Sequence, residues 1–149
     1  QILVDADACP VKDIILKIAK QYAIPVTMII DAAHELKEEH CRVITVDIER
    51  DSVDFALMKL LSPEDIVVTQ DFGLAALVLG QGARVLNQNG LIYTEANIDK
   101  LLFERYLGQK VRRGGGRTTN PKKRTKADDA RFAAALASLI EPDHPKSPS

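Results

Sequence analysis

Short apolar runs alternate along the chain with longer stretches in which apolar residues return every third or fourth position. Ile2-Leu3-Val4 is a run of three branched apolar residues, which reads as a brief, fully buried strand. Pro10 then opens a helix whose apolar positions Val11, Ile14, Ile15, Ile18, Ala19 and Tyr22 share one face, ending near Ala23. Pro25 introduces a second strand over Val26 to Ile30, closed by Asp31, and a polar connection follows over 32–39. Arg42 to Ile48 reads as a third strand, and Asp51 and Ser52 can cap a helix over Val53 to Leu61. Beyond the turn at Ser62-Pro63-Glu64-Asp65, Ile66 to Thr69 is a fourth strand and Leu74 to Leu79 a helix that stops at Gly80 and Gly82. Arg84 to Leu86 is a short strand, Asn87 to Gly90 a turn, and Leu91 to Tyr93 a further brief strand. Thr94 caps a helix running through Ile98, Leu101, Leu102 and Tyr106 to about Lys110. A last, Ala-rich helix over Ala127 to Ile140 can dock through Phe132, Leu136 and Leu139.

This alternation predicts an α/β fold, a three-layer sandwich with a mainly parallel sheet. Right-handed crossovers would put the carboxyl ends of the strands on one edge, where open sheets of this kind bind ligands. With 149 residues the chain is expected to form one α/β domain over 1–110, a mobile basic, Gly-rich segment over 111–126, and a C-terminal helix and frayed tail over 127–149 that docks on the domain. No window approaches the roughly 18 apolar residues of a membrane span. The absence of a signal-peptide pattern, with only Cys9 and Cys41 as cysteines, points to a reducing, cytoplasmic setting.

The predicted carboxyl edge carries acids on three loops: Asp5 and Asp7 after the first strand, Asp51 and Asp54 after the third, and Asp71 after the fourth. Carboxylates brought together without cations raise one another's pKa, and a hard divalent ion such as Mg²⁺ or Mn²⁺ relieves that repulsion through oxygen ligands. Such a site can activate water and stabilise an in-line displacement at phosphorus. Each acid taken singly also suits a turn or helix cap, Asp51 and Asp71 above all.

Charge is distributed unevenly. Residues 1–109 hold ten Lys and Arg against seventeen Asp and Glu, a net charge of −7. Lys110, Arg112, Arg113, Arg117, Lys122, Lys123, Arg124 and Lys126 follow with no acid among them, although the whole chain carries only −1. A basic segment on an acidic body suits a phosphate backbone; without interleaved aromatics it predicts little base stacking and weak sequence preference. A solvated tail, or Arg124 or Lys126 folded back as a cation at the acidic edge, are the other readings.

Asp5-Ala6-Asp7-Ala8-Cys9-Pro10-Val11-Lys12, Val67-Val68-Thr69-Gln70-Asp71-Phe72-Gly73-Leu74-Ala75, and Lys122-Lys123-Arg124-Thr125-Lys126 with Asp128, Asp129 and Phe132 resemble the bacterial YaiI/YqxD family along almost the whole chain. That family is similar to PIN-like domains, whose members are often metal-dependent ribonucleases with acids at the carboxyl edge. The resemblance implies that Asp5 is the acid after the first strand, Asp71 the acid after the fourth, and Asp51 or Asp54 the middle acid, often Glu in PIN nucleases. Asp7 would compensate for the lack of a clear further acid soon after Asp71. On this basis the expected function is a Mg²⁺- or Mn²⁺-dependent nuclease for RNA or single-stranded nucleic acid. Asp5, Asp7, Asp51 and Asp71 would be ligands, and Asp54 a further ligand or a supporting acid. Self-association, common in PIN-like proteins, is open.

Two other functions compete. Asp5-x-Asp7 after a buried strand also begins haloacid-dehalogenase-type phosphatases, but Cys9 occupies the usual Thr or Val position and no later Lys with paired acids follows in the expected context. A non-catalytic nucleic-acid- or protein-binding module would keep the fold and depend on the basic segment instead. Cys9 reads as a partly buried structural thiol, and the spacing of His34, His40 and Cys41 fits no zinc pattern.

Overall fold

The computed structural model describes residues 1–7, 9–31, 41–47, 52–113 and 123–142. Five strands, β1 (Ile2–Asp5), β2 (Val26–Asp31), β3 (Arg42–Val46), β4 (Ile66–Val68) and β5 (Arg84–Leu86), form one sheet in the order β3-β2-β1-β4-β5. Every neighbouring pair is parallel, with Ile2 beside Val26 on one side and Ile66 on the other. The central position of β1 explains its composition: Ile2, Leu3 and Val4 are fully buried because both faces of the sheet are covered. The brief strand expected at Leu91 to Tyr93 is a single antiparallel bridge between Leu86 and Ile92.

Helices α1 (Lys12–Gln21), α2 (Val53–Leu60), α3 (Phe72–Gly80), α4 (Glu95–Arg113) and α5 (Lys126–Ile140) make the two outer layers. Ile2 and Val4 of β1 pack with Ile15 and Ile18 of α1 and with Phe132, Leu136 and Ile140 of α5. Leu3 faces the other way, into a second core with Leu57 of α2, Leu74 and Val78 of α3 and Ile98 of α4. The result is the expected three-layer α/β sandwich. Fully buried Ile140 takes the inner place on α5 that the periodicity assigned to Leu139, which is half-buried.

Local chemistry sets the helix ends. Ser52 accepts the Phe55 N–H at 3.0 Å and caps α2, while the Thr125 hydroxyl and Asp128 carboxylate form a reciprocal capping box that starts α5. Past α1, Ala23 lies at φ 55°; its N–H reaches Lys20 O at 3.3 Å and the Ile24 N–H reaches Ala19 O at 2.9 Å, a Schellman turn without its usual glycine. Gly90, at φ 85°, lets the turn after β5 lie against α5: a Cβ there would stand 2.7 Å from Arg131 O. Among the described residues no helix is long and apolar enough to cross a membrane.

Candidate functional site

The parallel sheet gathers the carboxyl ends of β1 and β4, and the acids after those strands line one open cleft of about 440 Å³. Asp5, Asp7, Gln70, Asp71, Phe72 and Arg105 form its walls. Asp5 alternates with fully buried Val4 and Ala6, which face the α1 and α5 layer, and so falls on the side of the sheet covered by α2, α3 and α4. A larger groove of about 660 Å³ lies at the opposite, amino edge, between α1 and Pro25-Val26, with lysines but no carboxylate in its lining.

Asp5 is fixed from β4. The Thr69 hydroxyl, 1% exposed, donates to Asp5 Oδ2 at 2.9 Å and accepts the Asp71 N–H at 3.0 Å, so one buried side chain registers both acids. The Thr69 carbonyl accepts the hydroxyl of buried Tyr93 at 3.3 Å. Burial, and then Asp71 nearby, push the Tyr93 phenol up to about 12, offset in part by a hydrogen bond with Asn87. Burial raises the Asp5 carboxyl from 3.8 to about 6; the Thr69 hydrogen bond opposes the rise, and Asp54, Asp7 and Asp71 add to it. Asp54 is pushed up as well, by burial first and by Asp71 second. Asp5 therefore feels the charges of three other predicted acids, and Asp54 that of one. The fifth, Asp51, lies outside the described residues, as do Arg117 and Lys122 of the basic segment and His34 and His40.

Two of the acids also serve the backbone. Asp71 Oδ1 accepts the Gly73 N–H at 2.8 Å and the Leu74 N–H at 3.2 Å, capping α3 two residues earlier than the apolar periodicity places its start. Asp7 Oδ2 accepts the Asp31 N–H at 3.3 Å and ties the end of β1 to the end of β2. Among the described residues no three His, Cys, Asp or Glu side chains are close enough together to hold a metal ion.

The cation in the cleft comes from elsewhere than expected. Arg105 Nη1 stands 3.6 Å from Asp71 Oδ1. Arg124, a candidate for that place and for phosphate contact, instead closes the base of α5: its guanidinium donates to Asp129 Oδ1 at 2.6 Å, Asn89 Oδ1 at 2.9 Å and Gln88 O at 2.7 Å. These bonds tie Arg124 to the start of α5 and to the turn after β5. Lys123 and Lys126, on either side, are exposed. Cys9 is half-buried against the first core, and burial raises its thiol pKa, as suits a structural cysteine.

Comparison with known proteins gives a family and no activity. A family model described as "Uncharacterized BCR, YaiI/YqxD family" matches residues 3–142. A "UPF0178 protein" of Ruminiclostridium cellulolyticum is 64% identical over 143 residues, covering 96% of this chain and 94% of that one. A protein of the same name from Clostridium kluyveri is 52% identical over 140 residues, covering 94% and 92%. Among solved structures, that of Rae1 (YacP) from Bacillus subtilis, a W164L mutant, is similar with a TM-score of 0.46 and 18% identity, over 92% of this chain and 98% of that one.

Proposed function

The chain belongs to the YaiI/YqxD family, and we propose that within it this protein is a PIN-like, metal-dependent nuclease acting on RNA or single-stranded nucleic acid. One observation carries the reading: Asp5, the acid at the end of the central strand, is held near pKa 6 by burial and by three neighbouring carboxylates, in a cleft open to solvent. Proteins rarely keep such a cluster for stability, because it costs free energy unless a cation is bound.

The donor set suits a hard divalent ion, since every candidate ligand is a carboxylate oxygen. Asp5, Asp7 and Asp71 would hold Mg²⁺ or Mn²⁺, with Asp51 as a fourth ligand and Asp54 as a further ligand or supporting acid. When bound, the ion supplies Lewis-acid activation of water and charge neutralisation at phosphorus. Thr69 keeps the Asp5 carboxylate oriented, and its bond to the Asp71 N–H fixes the distance between the two strand ends. Arg112, Arg113, Arg117, Lys122, Lys123 and Lys126 would hold the phosphate chain, with Arg124 positioning that segment rather than touching substrate.

The non-catalytic module remains the second reading, and one observation favours it: Asp7 and Asp71 each already accept backbone N–H groups. Cleavage of a labelled single-stranded RNA in Mn²⁺ separates the two. Asp5→Asn and Asp71→Asn, both able to keep the local hydrogen bonds, should each reduce the rate roughly a hundredfold or more. Full cleavage by both variants would leave the binding module as the better account.

A further inference from the structure

On α4 the residues facing the core are Ile98, buried, and Leu101 and Leu102, half-buried, all packed in the second core. Arg105 is the next position on that stripe, four residues after Leu101 and three after Leu102. The outer face of the same helix is the apolar one to solvent, with Phe103 60%, Tyr106 51% and Leu107 45% exposed. Arg105 keeps the register of that stripe but is itself 47% exposed, because at this turn the helix has passed the core and the side chain meets the cleft instead.

Arg105 lines the same cleft as Asp5, Asp7 and Asp71, and its approach to Asp71 Oδ1 at 3.6 Å is an ion pair without a hydrogen bond. Asp71 Oδ1 is already bonded to two backbone N–H groups, so it offers the guanidinium charge but little directional bonding. A planar fork of five donors is thus held at the mouth of an acidic cleft with its hydrogen-bonding capacity largely unspent. An ion pair this exposed contributes little stability by itself.

We propose that Arg105 is a phosphate-binding residue: it takes the non-bridging oxygens of a phosphodiester in single-stranded nucleic acid, and pairs with Asp71 while the cleft holds no substrate. This rests on the nuclease reading above and adds to it the group that lets an anionic substrate approach an anionic site. Fork-to-phosphate geometry makes Arg specific here, so Lys restores the charge but not the paired bonds.

The test compares wild type, Arg105→Ala, Arg105→Gln, Arg105→Lys and Asp5→Asn in two titrations: Mn²⁺ alone by calorimetry, and a labelled single-stranded oligonucleotide with Mn²⁺ by anisotropy. Arg105→Ala and Arg105→Gln should lose about tenfold or more in oligonucleotide affinity. Their Mn²⁺ affinity should stay the same or tighten, because a competing cation is gone, and Arg105→Lys should fall between. Oligonucleotide affinity equal to wild type in both neutral variants overturns the role of Arg105 while leaving the nuclease reading intact. A parallel loss of Mn²⁺ affinity also overturns it, by showing that Arg105 acts on the architecture of the site. If wild type takes up no Mn²⁺, or Asp5→Asn takes it up equally well, the nuclease reading fails and this inference falls with it.

Discussion

Replacing Asp5 by Asn should stabilise the protein. The carboxyl rises from 3.8 to about 6 on folding, which corresponds to about 3 kcal/mol favouring its neutral form. Part of the group is in contact with water, so we take about 1–2 kcal/mol as the effective cost of the charge. Asn keeps the shape and still accepts the Thr69 hydroxyl, now 2.9 Å from Asp5 Oδ2, so the substitution removes charge and little else. The sign of the pH dependence follows from the direction of the shift. Between pH 3.8 and about 6 the folded protein holds the proton more tightly than the unfolded chain, so stability falls as pH rises through this window. The penalty is complete above about pH 6 and absent well below 3.8. Urea unfolding at about pH 8 should therefore give Asp5→Asn a higher midpoint than wild type, with a melting temperature raised by a few degrees. At about pH 4 the two proteins should converge. A variant less stable than wild type at pH 8 would mean that the carboxylate is held by favourable contacts, and the reading of Asp5 as a strained, cation-seeking group would be wrong.

Other predictions follow from the same contacts. Thr69→Val removes the donor to Asp5 and the acceptor for the Asp71 N–H; it should raise the Asp5 pKa further, seen by NMR titration of the carboxyl, and cost about 1–3 kcal/mol in urea unfolding. Arg124→Ala releases the turn after β5 from the start of α5 and should destabilise the protein by about 2–3 kcal/mol, whereas Lys123→Ala should leave urea stability unchanged and weaken oligonucleotide binding mainly at low salt. Ala23→Gly, at a left-handed helix terminus, should raise stability by about 1 kcal/mol, read as a higher midpoint in the same urea titration.

The sheet was legible in the sequence because its strands are short apolar runs bounded by Pro, Gly and acids, and burial on both faces leaves such runs little alternative. The placement of Asp5 and Asp71 was legible for a related reason: an acid at the end of a buried run, or a few residues past it, falls at the carboxyl edge wherever the sheet is parallel. Periodicity is silent on what a polar residue at a helix end or on a helix face contacts. Asp71 reads as a cap, and it is one, yet the same carboxylate lines the cleft. Arg105 was missed because its partner lies 34 residues away and an arginine in a charged helix reads as a solvated face. The available signal was its register, since Ile98, Leu101 and Leu102 point to a fourth apolar residue where Arg105 stands. For Arg124 the sequence shows basic neighbours and no sign of its contacts, and only the fold shows that Asp129 five residues on and the Asn87 to Gly90 turn engage it. Thr69 is a strand residue by pattern, and only the pairing of β1 with β4 shows which carboxylate its hydroxyl meets.

The central claim is that the carboxylates at this sheet edge are a site for a divalent cation. Calorimetric titration of Mn²⁺ and Mg²⁺ into wild type and Asp5→Asn at about pH 8 tests it most directly. The account predicts saturable binding to wild type that is lost or greatly weakened in Asp5→Asn. Equal binding by the two proteins, or none to wild type even with oligonucleotide present, would contradict it and leave the basic segment as the functional element.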